Sequence, residues 1–588
     1  MTFSIFTSWT ALVVGVLALL LTLLYRAALP KPIPGIPYNH ASVRSIFGDI
    51  PGMMKWKAET RETFTWMTEQ CKLLNAPMVQ LFVKPFSLPW VIVTDARECL
   101  DVLTRRSKEF DRSSFTTDVV LPILREHHFP FPSGPKQRAH RALLSDLMTP
   151  AFLNEVAAPR LYHATLELLQ LWRRKAELAG GHPFAAQEDI ANTALDTIWA
   201  ASIGEEARTI NAQIEVIAKC SAIELPSKQD LPVMFPKALV PYDIECIRAV
   251  IGSMEVGLAS PLPGLSYWFY LKRPSIRRAF NRKDLMLSNA LKDSRDRLGS
   301  EEKDIGNVPI RSAMDYVLRR ELLQARKERR PPRLDGSHAT VLKDELFGFL
   351  LAGHETTSTT LQWGMKLLTD HQEVQARLHE SLRDAIPTAA AEGRQPSYVE
   401  ITNSKVPYLD AVIEEILRCG GTAAAQARQC LFETELLGVR LPKGTNVLFM
   451  TNGPSFVSPP MAVDERLRSQ SCQEAKDKIG EWDSQDLSEF KPERWLSTDS
   501  EGRVDINWQA GPNAQFGGGA RGCFGRKFAY LEMRTVMTIV FWNFKLLPVP
   551  AELSSYRAYD SVAHVPQQFF IRLAPIQEKI REMQNVGK

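Results

Sequence analysis

FGGGARGCFG, residues 516–525, is the stretch from which the rest of the chain is best read. It sets one cysteine, Cys523, in a glycine-rich turn. Gly517, Gly518, Gly519, Gly522 and Gly525 carry no side chain, which lets backbone approach a bulky flat ligand. Residues 526–543 contain neither Gly nor Pro and predict a helix just after the turn. Cys523 then lies near a helix N-terminus among turn N–H groups, and both favour a thiolate over a thiol. Arg521 adds a fixed positive charge two residues earlier. The plain alternative is a buried structural cysteine beside a flexible loop. A G-x-G-x-x-G also runs from Gly517 to Gly522, but residues 507–515 are polar and broken by Gly511 and Pro512. The strand that a dinucleotide site requires is therefore missing.

The chain has 588 residues, 45% hydrophobic and 23% charged, which is ordinary globular usage with room for a very large core. Lys and Arg total 71 against 67 for Asp and Glu, so no nucleic-acid partner is expected. The eight cysteines are scattered without a C-x-x-C pair, which suits a reducing compartment and free thiols.

Residues 1–25 carry no charge and are largely aliphatic. About 20 such residues span a bilayer, which predicts an anchor over 1–29. Arg26 and Lys31 follow and place the body in the cytosol. A cleaved signal peptide is the alternative, disfavoured because no basic residue precedes the apolar run. Pro30, Pro32, Pro34 and Pro37 then read as a stiff hinge over 30–40, before a body over 41–588.

Within that body, residues 78–83 and 90–94 read as strands, and 112–132 as irregular but apolar. Residues 134–152 read as helical and carry Lys136, Gln137, Arg138 and Arg141. Residues 230–274, rich in Pro and aromatics, read as a mobile lid. A long helix over 344–370 holds Ala352, Gly353, His354, Glu355, Thr356 and Thr357. Ala352 and Gly353 share a face with Thr356, so small residues leave a notch there. A mid-helix glycine costs about 1 kcal/mol, and close helix packing is the other reason for one. His354 lies on another face. Glu415 and Arg418 are spaced to pair on a helix, followed far downstream by Pro492, Glu493, Arg494 and Trp495. Residues 461–481 are polar and read as a surface insertion. Residues 576–588 read as a frayed tail.

Phe516, Gly519, Arg521, Cys523 and Gly525 match the F-x-x-G-x-R-x-C-x-G signature of the heme-thiolate monooxygenases, the cytochrome P-450 superfamily. The chain also resembles that family, in the family's order, in its propionate arginine (Arg141), A-G-x-E-T-T, E-x-x-R and P-E-R-F-like segments, over roughly residues 31–575. Fungal microsomal members are the most similar in detail.

The resemblance implies a mainly α fold with a small β region, preceded here by one N-terminal transmembrane helix. It implies heme b held by Cys523, with Phe516 and Gly525 flanking the ring and Arg141, Arg428 and Arg521 on its propionates. Gln137 stands where the family has tryptophan. Glu355 and Thr356 are implied as the proton relay, and Arg494 as third member of a structural triad with Glu415 and Arg418. Electrons are expected from NADPH through a membrane-bound NADPH-cytochrome reductase. The body is expected on the cytosolic side of the endoplasmic reticulum membrane, acting on an apolar small molecule of secondary metabolism. Two rivals remain: a heme-thiolate isomerase or dehydratase, and a non-catalytic heme sensor.

Overall fold

The computed structural model describes residues 2–299, 305–306 and 308–576, with side chains from residue 12 onward. The fold is built around one helix, Ser337–Asp370. Proline is absent from it, and most of its side chains are buried on every side, the mark of a helix inside a core. Leu361, Met365 and Leu368 pack with Leu409, Ile413 and Ile416 of Pro407–Gly420 and with Val536 and Val540 of Arg526–Asn543. Leu346, Phe347 and Leu350 pack with Leu195 and Ile198 of Gln187–Ile203. Each such side chain contributes about 1.5–3 kcal/mol on burial.

Against this helical body lies a five-stranded sheet in the order Met78–Leu81, Trp90–Val93, Asn446–Met450, Ala425–Cys430, Phe110–Arg112. The second and third strands pair in parallel and the other neighbours antiparallel. In the last pair Arg112 stands directly opposite Arg428. A hairpin, Ala558–Asp560 with His564–Pro566, returns the C-terminal part of the chain to the central helix. Trp363 Nε1 donates to the His564 carbonyl at 2.7 Å and holds it there.

Several expectations are refined. The segment 112–132 is irregular only in part: Ser114–Val120 is a helix, capped by the Ser113 hydroxyl, and turns follow it. The proline segment, expected to be stiff, is also docked. Gln80 Nε2 donates to the carbonyls of Ile33 and Ile36, and Gln80 Oε1 accepts from Ile33 N–H, so the segment is pinned to the sheet edge. The polar insertion lies at the surface, as expected, and is also docked. Arg468 pairs with Asp95, and Ser469 and Ser471 donate to Asp101, both acids belonging to Ala96–Thr104 and its cap.

A helix covers Thr2–Ala28. Among the described residues no helix is long and apolar enough to cross a membrane. The side chains of residues 2–11, part of the expected anchor, lie outside the described residues, as does the expected tail beyond 576.

Candidate active site

The cysteine turn closes on itself before the helix Arg526–Asn543 begins. Cys523 N–H donates to the Phe516 carbonyl at 2.8 Å, and Gly522 N–H to the Gly519 carbonyl at 3.1 Å. Gly519 has a φ of +60°, and a Cβ there would meet the Leu103 carbonyl oxygen at 2.5 Å. This glycine is needed for a tight turn against another helix, not for approach to a ligand. Gly525 caps the helix, and no atom lies within 4 Å of where its Cβ would be. The Phe516 ring lies on the outer flank against Tyr530 and Arg526.

Cys523 is exposed, unlike most of the other cysteines, and all eight are free thiols. Its sulfur is nonetheless crowded by protein. Burial pushes the thiol up, outweighing the Gly525 N–H and the charges of Arg141 and Arg526 that pull it down. The turn N–H and the arginines favour the thiolate, as the sequence reading expects, and burial of the heme-free sulfur opposes them. A bound metal ion deprotonates a ligating thiol outright.

Four arginines gather beside the turn. Arg141, on Pro135–Leu143, donates to the Gly522 carbonyl at 3.1 Å and lies over the Phe524 ring. Arg521 is already spent: it bonds Asp111, Ser133 and the Phe131 carbonyl, so it offers an incoming carboxylate less charge than expected. Arg428 is buried, bonds only the Ala427 carbonyl, and leaves Nη2 without a partner. Burial pushes its guanidinium down to about 10. Arg112 leaves Nε buried and unpartnered, and its guanidinium is pushed well down by burial and by Arg428 and Arg521. Sequence reasoning missed Arg112. It closes the short strand Phe110–Arg112, and nothing local sets its charge apart from that of Asp111 beside it. Gln137, in the tryptophan position, is buried on the same helix as Arg141.

The central helix reaches this turn through Phe349, whose ring meets Phe524 and Phe528 edge-on. One turn further on, Ala352 is exposed in the middle of an otherwise buried helix. The notch is therefore Ala352 with Thr356. Gly353 serves close packing, because a Cβ there would lie 2.8 Å from Ile198 Cδ1. Thr356 Oγ1 donates back to the Ala352 carbonyl at 2.7 Å. Glu355 turns away from Thr356 and accepts from Ser561 Oγ on the C-terminal hairpin. Burial pushes its carboxyl up. His354 has no ligand role: it is buried beside Arg248, which with burial pushes it down to about 4.

Glu415, Arg418 and Arg494 meet as expected. Arg418 uses five donations, two to Glu415 and one each to the carbonyls of Phe456, Leu487 and Glu489. Arg494 Nε, Lys491 N–H and Trp495 Nε1 complete the shell of Glu415.

A second constellation was not expected. His127, His128 and Glu345 are buried with candidate ligand atoms within 4.8 Å of one another. Phe129 N–H donates to His127 Nδ1 at 3.1 Å, so the ring proton sits on Nε2, facing Glu345 Oε2 at 3.5 Å. His128 Nδ1 lies 2.7 Å from the same oxygen. An N–H stands where a metal needs a lone pair, so the cluster is held by protons.

A pocket of about 60 Å³ runs between the lid and the sheet, lined by Phe64, Met67, Trp90, Phe115, Leu258 and Ser561 among others.

Heme fits these residues. Cys523 is exposed at the turn, an exposed alanine opens the helix beyond it, and among the described residues buried guanidinium atoms lack the anions that would satisfy them.

Comparison with known proteins agrees. The cytochrome P450 family model matches residues 49–453 and 485–567. The gap between the two segments contains the docked insertion. Cytochrome P450 monooxygenase GME11363 of Pestalotiopsis microspora is 39% identical over 582 residues, covering 98% of this chain and 100% of its own length. Cytochrome P450 monooxygenase TRI13 of Fusarium sporotrichioides is 38% identical, covering 95% and 98%. Cytochrome P450 monooxygenase xilC of Penicillium rubens is 33% identical, covering 94% and 93%. The chain belongs to the cytochrome P450 family and is a heme-dependent monooxygenase.

Proposed function

We propose that this monooxygenase is anchored in the endoplasmic reticulum membrane and inserts one oxygen atom from O2 into an apolar small molecule of fungal secondary metabolism. NADPH supplies the electrons through a membrane-bound reductase. The observation that carries the reading is the exposed Cys523 beside buried guanidinium atoms that lack anions.

In this reading Cys523 holds the heme iron and Arg112, Arg141 and Arg428 take its propionates, guanidinium forks being suited to carboxylates. Bound heme with a thiolate ligand supplies dioxygen activation. The chain's own residues do the rest. Phe64, Met67, Trp90, Phe115 and Leu258 receive apolar substrate surface. Ala352 leaves room for the reacting group. Thr356 Oγ1, able to donate and accept, passes protons that Glu355 delivers.

Two apolar surfaces support the membrane assignment. The described side chains of residues 12–27 are exposed, including Leu17, Leu20 and Leu24. On the lid, Leu265, Trp268 and Phe269 are exposed beside Lys272 and Arg273. Exposed apolar groups rimmed by cations suit a lipid surface.

Reconstitution with heme, a fungal reductase and NADPH tests the function against metabolite extracts. The expected result is a thiolate-type reduced carbonyl spectrum that Cys523→Ala abolishes, and oxygenated products that need both O2 and NADPH. Product formed without either would overturn the reading.

A further inference from the structure

Glu355 and Thr356 are neighbours in sequence, yet adjacent helix residues point about 100° apart. Each is held by a different partner. Thr356 bonds backwards to the Ala352 carbonyl. Glu355 is bonded to Ser561, which lies 206 residues away at the tip of the C-terminal hairpin. Ser561 is itself buried and is one of the residues lining the pocket. The hairpin around it is tied to three other parts of the fold. His564 N–H donates to the Thr422 carbonyl, Asp560 N–H to the Arg61 carbonyl, and Phe64 N–H to Asp560 Oδ2. A molecule in the pocket would meet Ser561 at the tip, between hairpin flanks that are hydrogen-bonded in place.

We propose that Ser561 is the positioning residue for Glu355, a latch through which an occupied pocket releases the acid for proton delivery. The proposal rests on the relay reading of Glu355 and Thr356. Ser561 O–H donates to Glu355 Oε1, which stabilises the carboxylate. When the tip moves, that donation is lost and burial dominates. Glu355 then takes a proton from solvent, swings free of the hairpin and hands the proton to Thr356. Solvent protonates it again for the next delivery. The other ionisable groups facing Glu355 are Glu255 of Met254–Leu258 and Tyr559 of the hairpin, with Arg61 over the Tyr559 ring at 4.7 Å.

The test is an infrared pH titration of the heme-loaded full chain without electron donor, following the carboxyl band that Glu355→Gln removes. Ser561→Ala is expected to raise the titration midpoint by about one to two pH units, and Ser561→Thr to restore it. Saturating biphenyl, an apolar pocket probe with no nitrogen to ligate iron or to titrate, is expected to raise the midpoint in the unaltered protein and to add nothing in Ser561→Ala. An unchanged midpoint in Ser561→Ala overturns the latch. So does an unchanged midpoint in the unaltered protein with probe bound, an arm that needs no variant to fold. Neither arm involves turnover. A failed latch is thereby distinguished from a failed relay, which Glu355→Gln and Thr356→Ala turnover would report.

Discussion

Arg112 and Arg428 are direct cross-strand partners, and among the described residues no carboxylate is bonded to either guanidinium. Like charges opposite each other destabilise a sheet by up to about 1 kcal/mol, and sealed donors without partners add to that. The pair is a strained feature of the protein alone and a favourable one once two propionates arrive. Arg428→Leu should therefore stabilise the heme-free protein while weakening the loaded one. Losing one charge-assisted bond of about 1.5–3 kcal/mol predicts heme loss faster by about 10- to 100-fold. Thermal melts of both forms, with heme transfer to an acceptor protein, check both halves. A variant less stable in both forms would mean that the arginine serves packing only.

Arg418 makes the opposite case, a buried cation with every donor used. Lysine keeps the charge but lacks the planar fork. Arg418→Lys should then strand three carbonyls and unbalance Glu415, costing about 3–5 kcal/mol. The denaturant midpoint should fall and heme content with it, while any enzyme that keeps its heme should retain its substrate choice. Normal heme content would contradict a structural role.

The helix Arg526–Asn543, the E-x-x-R pair and the cysteine turn were legible because each is local: a residue spacing, a capping glycine, an unbroken helical run. Arg112 and Ser561 were not, because their roles depend on pairings 316 and 206 residues distant in the chain. Gly353 was legible as a residue that needs a reason, but not which one. Only the position of Ile198 decides between an open notch and close packing. The balance at the Cys523 thiol was hidden for the same reason. Helix terminus and arginines are visible in sequence, whereas the desolvation that outweighs them comes from the whole fold.

The lid patch gives a test of the proposed membrane contact. Removing residues 1–29 should weaken binding to vesicles of neutral phospholipid without ending it. Adding Leu265→Ser, Trp268→Ser and Phe269→Ser should end it, since each side chain contributes about 1.5–3 kcal/mol on burial. Co-sedimentation reads both steps. Undiminished binding after all four changes would remove the lid from the contact.

His354 makes stability pH-dependent on the acid side. Its folded value, about 4, lies below the ordinary 6.5, so the unfolded chain holds the extra proton between them. Stability conferred by the neutral ring is full above pH 6.5 and falls as pH drops toward 4, by at most about 3 kcal/mol. Melting temperature against pH should show that decline, and His354→Phe should flatten it.

Glu98 predicts the opposite slope from the same physics. It lies fully buried between the helix Ala96–Thr104 and the docked insertion. Well-formed hydrogen bonds reach neither carboxylate oxygen. Arg468 stands off at 3.7 Å and Arg106 at 4.0 Å, and the Cys472 thiol approaches as a weak donor. Burial, with Asp95 and Asp101 adding like charge, pushes its carboxyl up to about 7 from an ordinary 4.5. The folded chain therefore holds the extra proton between those values. Stability is highest below pH 4.5 in this respect and falls as pH rises through 7, by about 3 kcal/mol in total. Glu98→Gln keeps the shape and removes the charge. It should raise the melting temperature at pH 8 and leave it nearly unchanged at pH 5. An equal effect at both values would mean that the folded chain does not raise the Glu98 carboxyl, and that Glu98 is ionised at pH 5 as at pH 8.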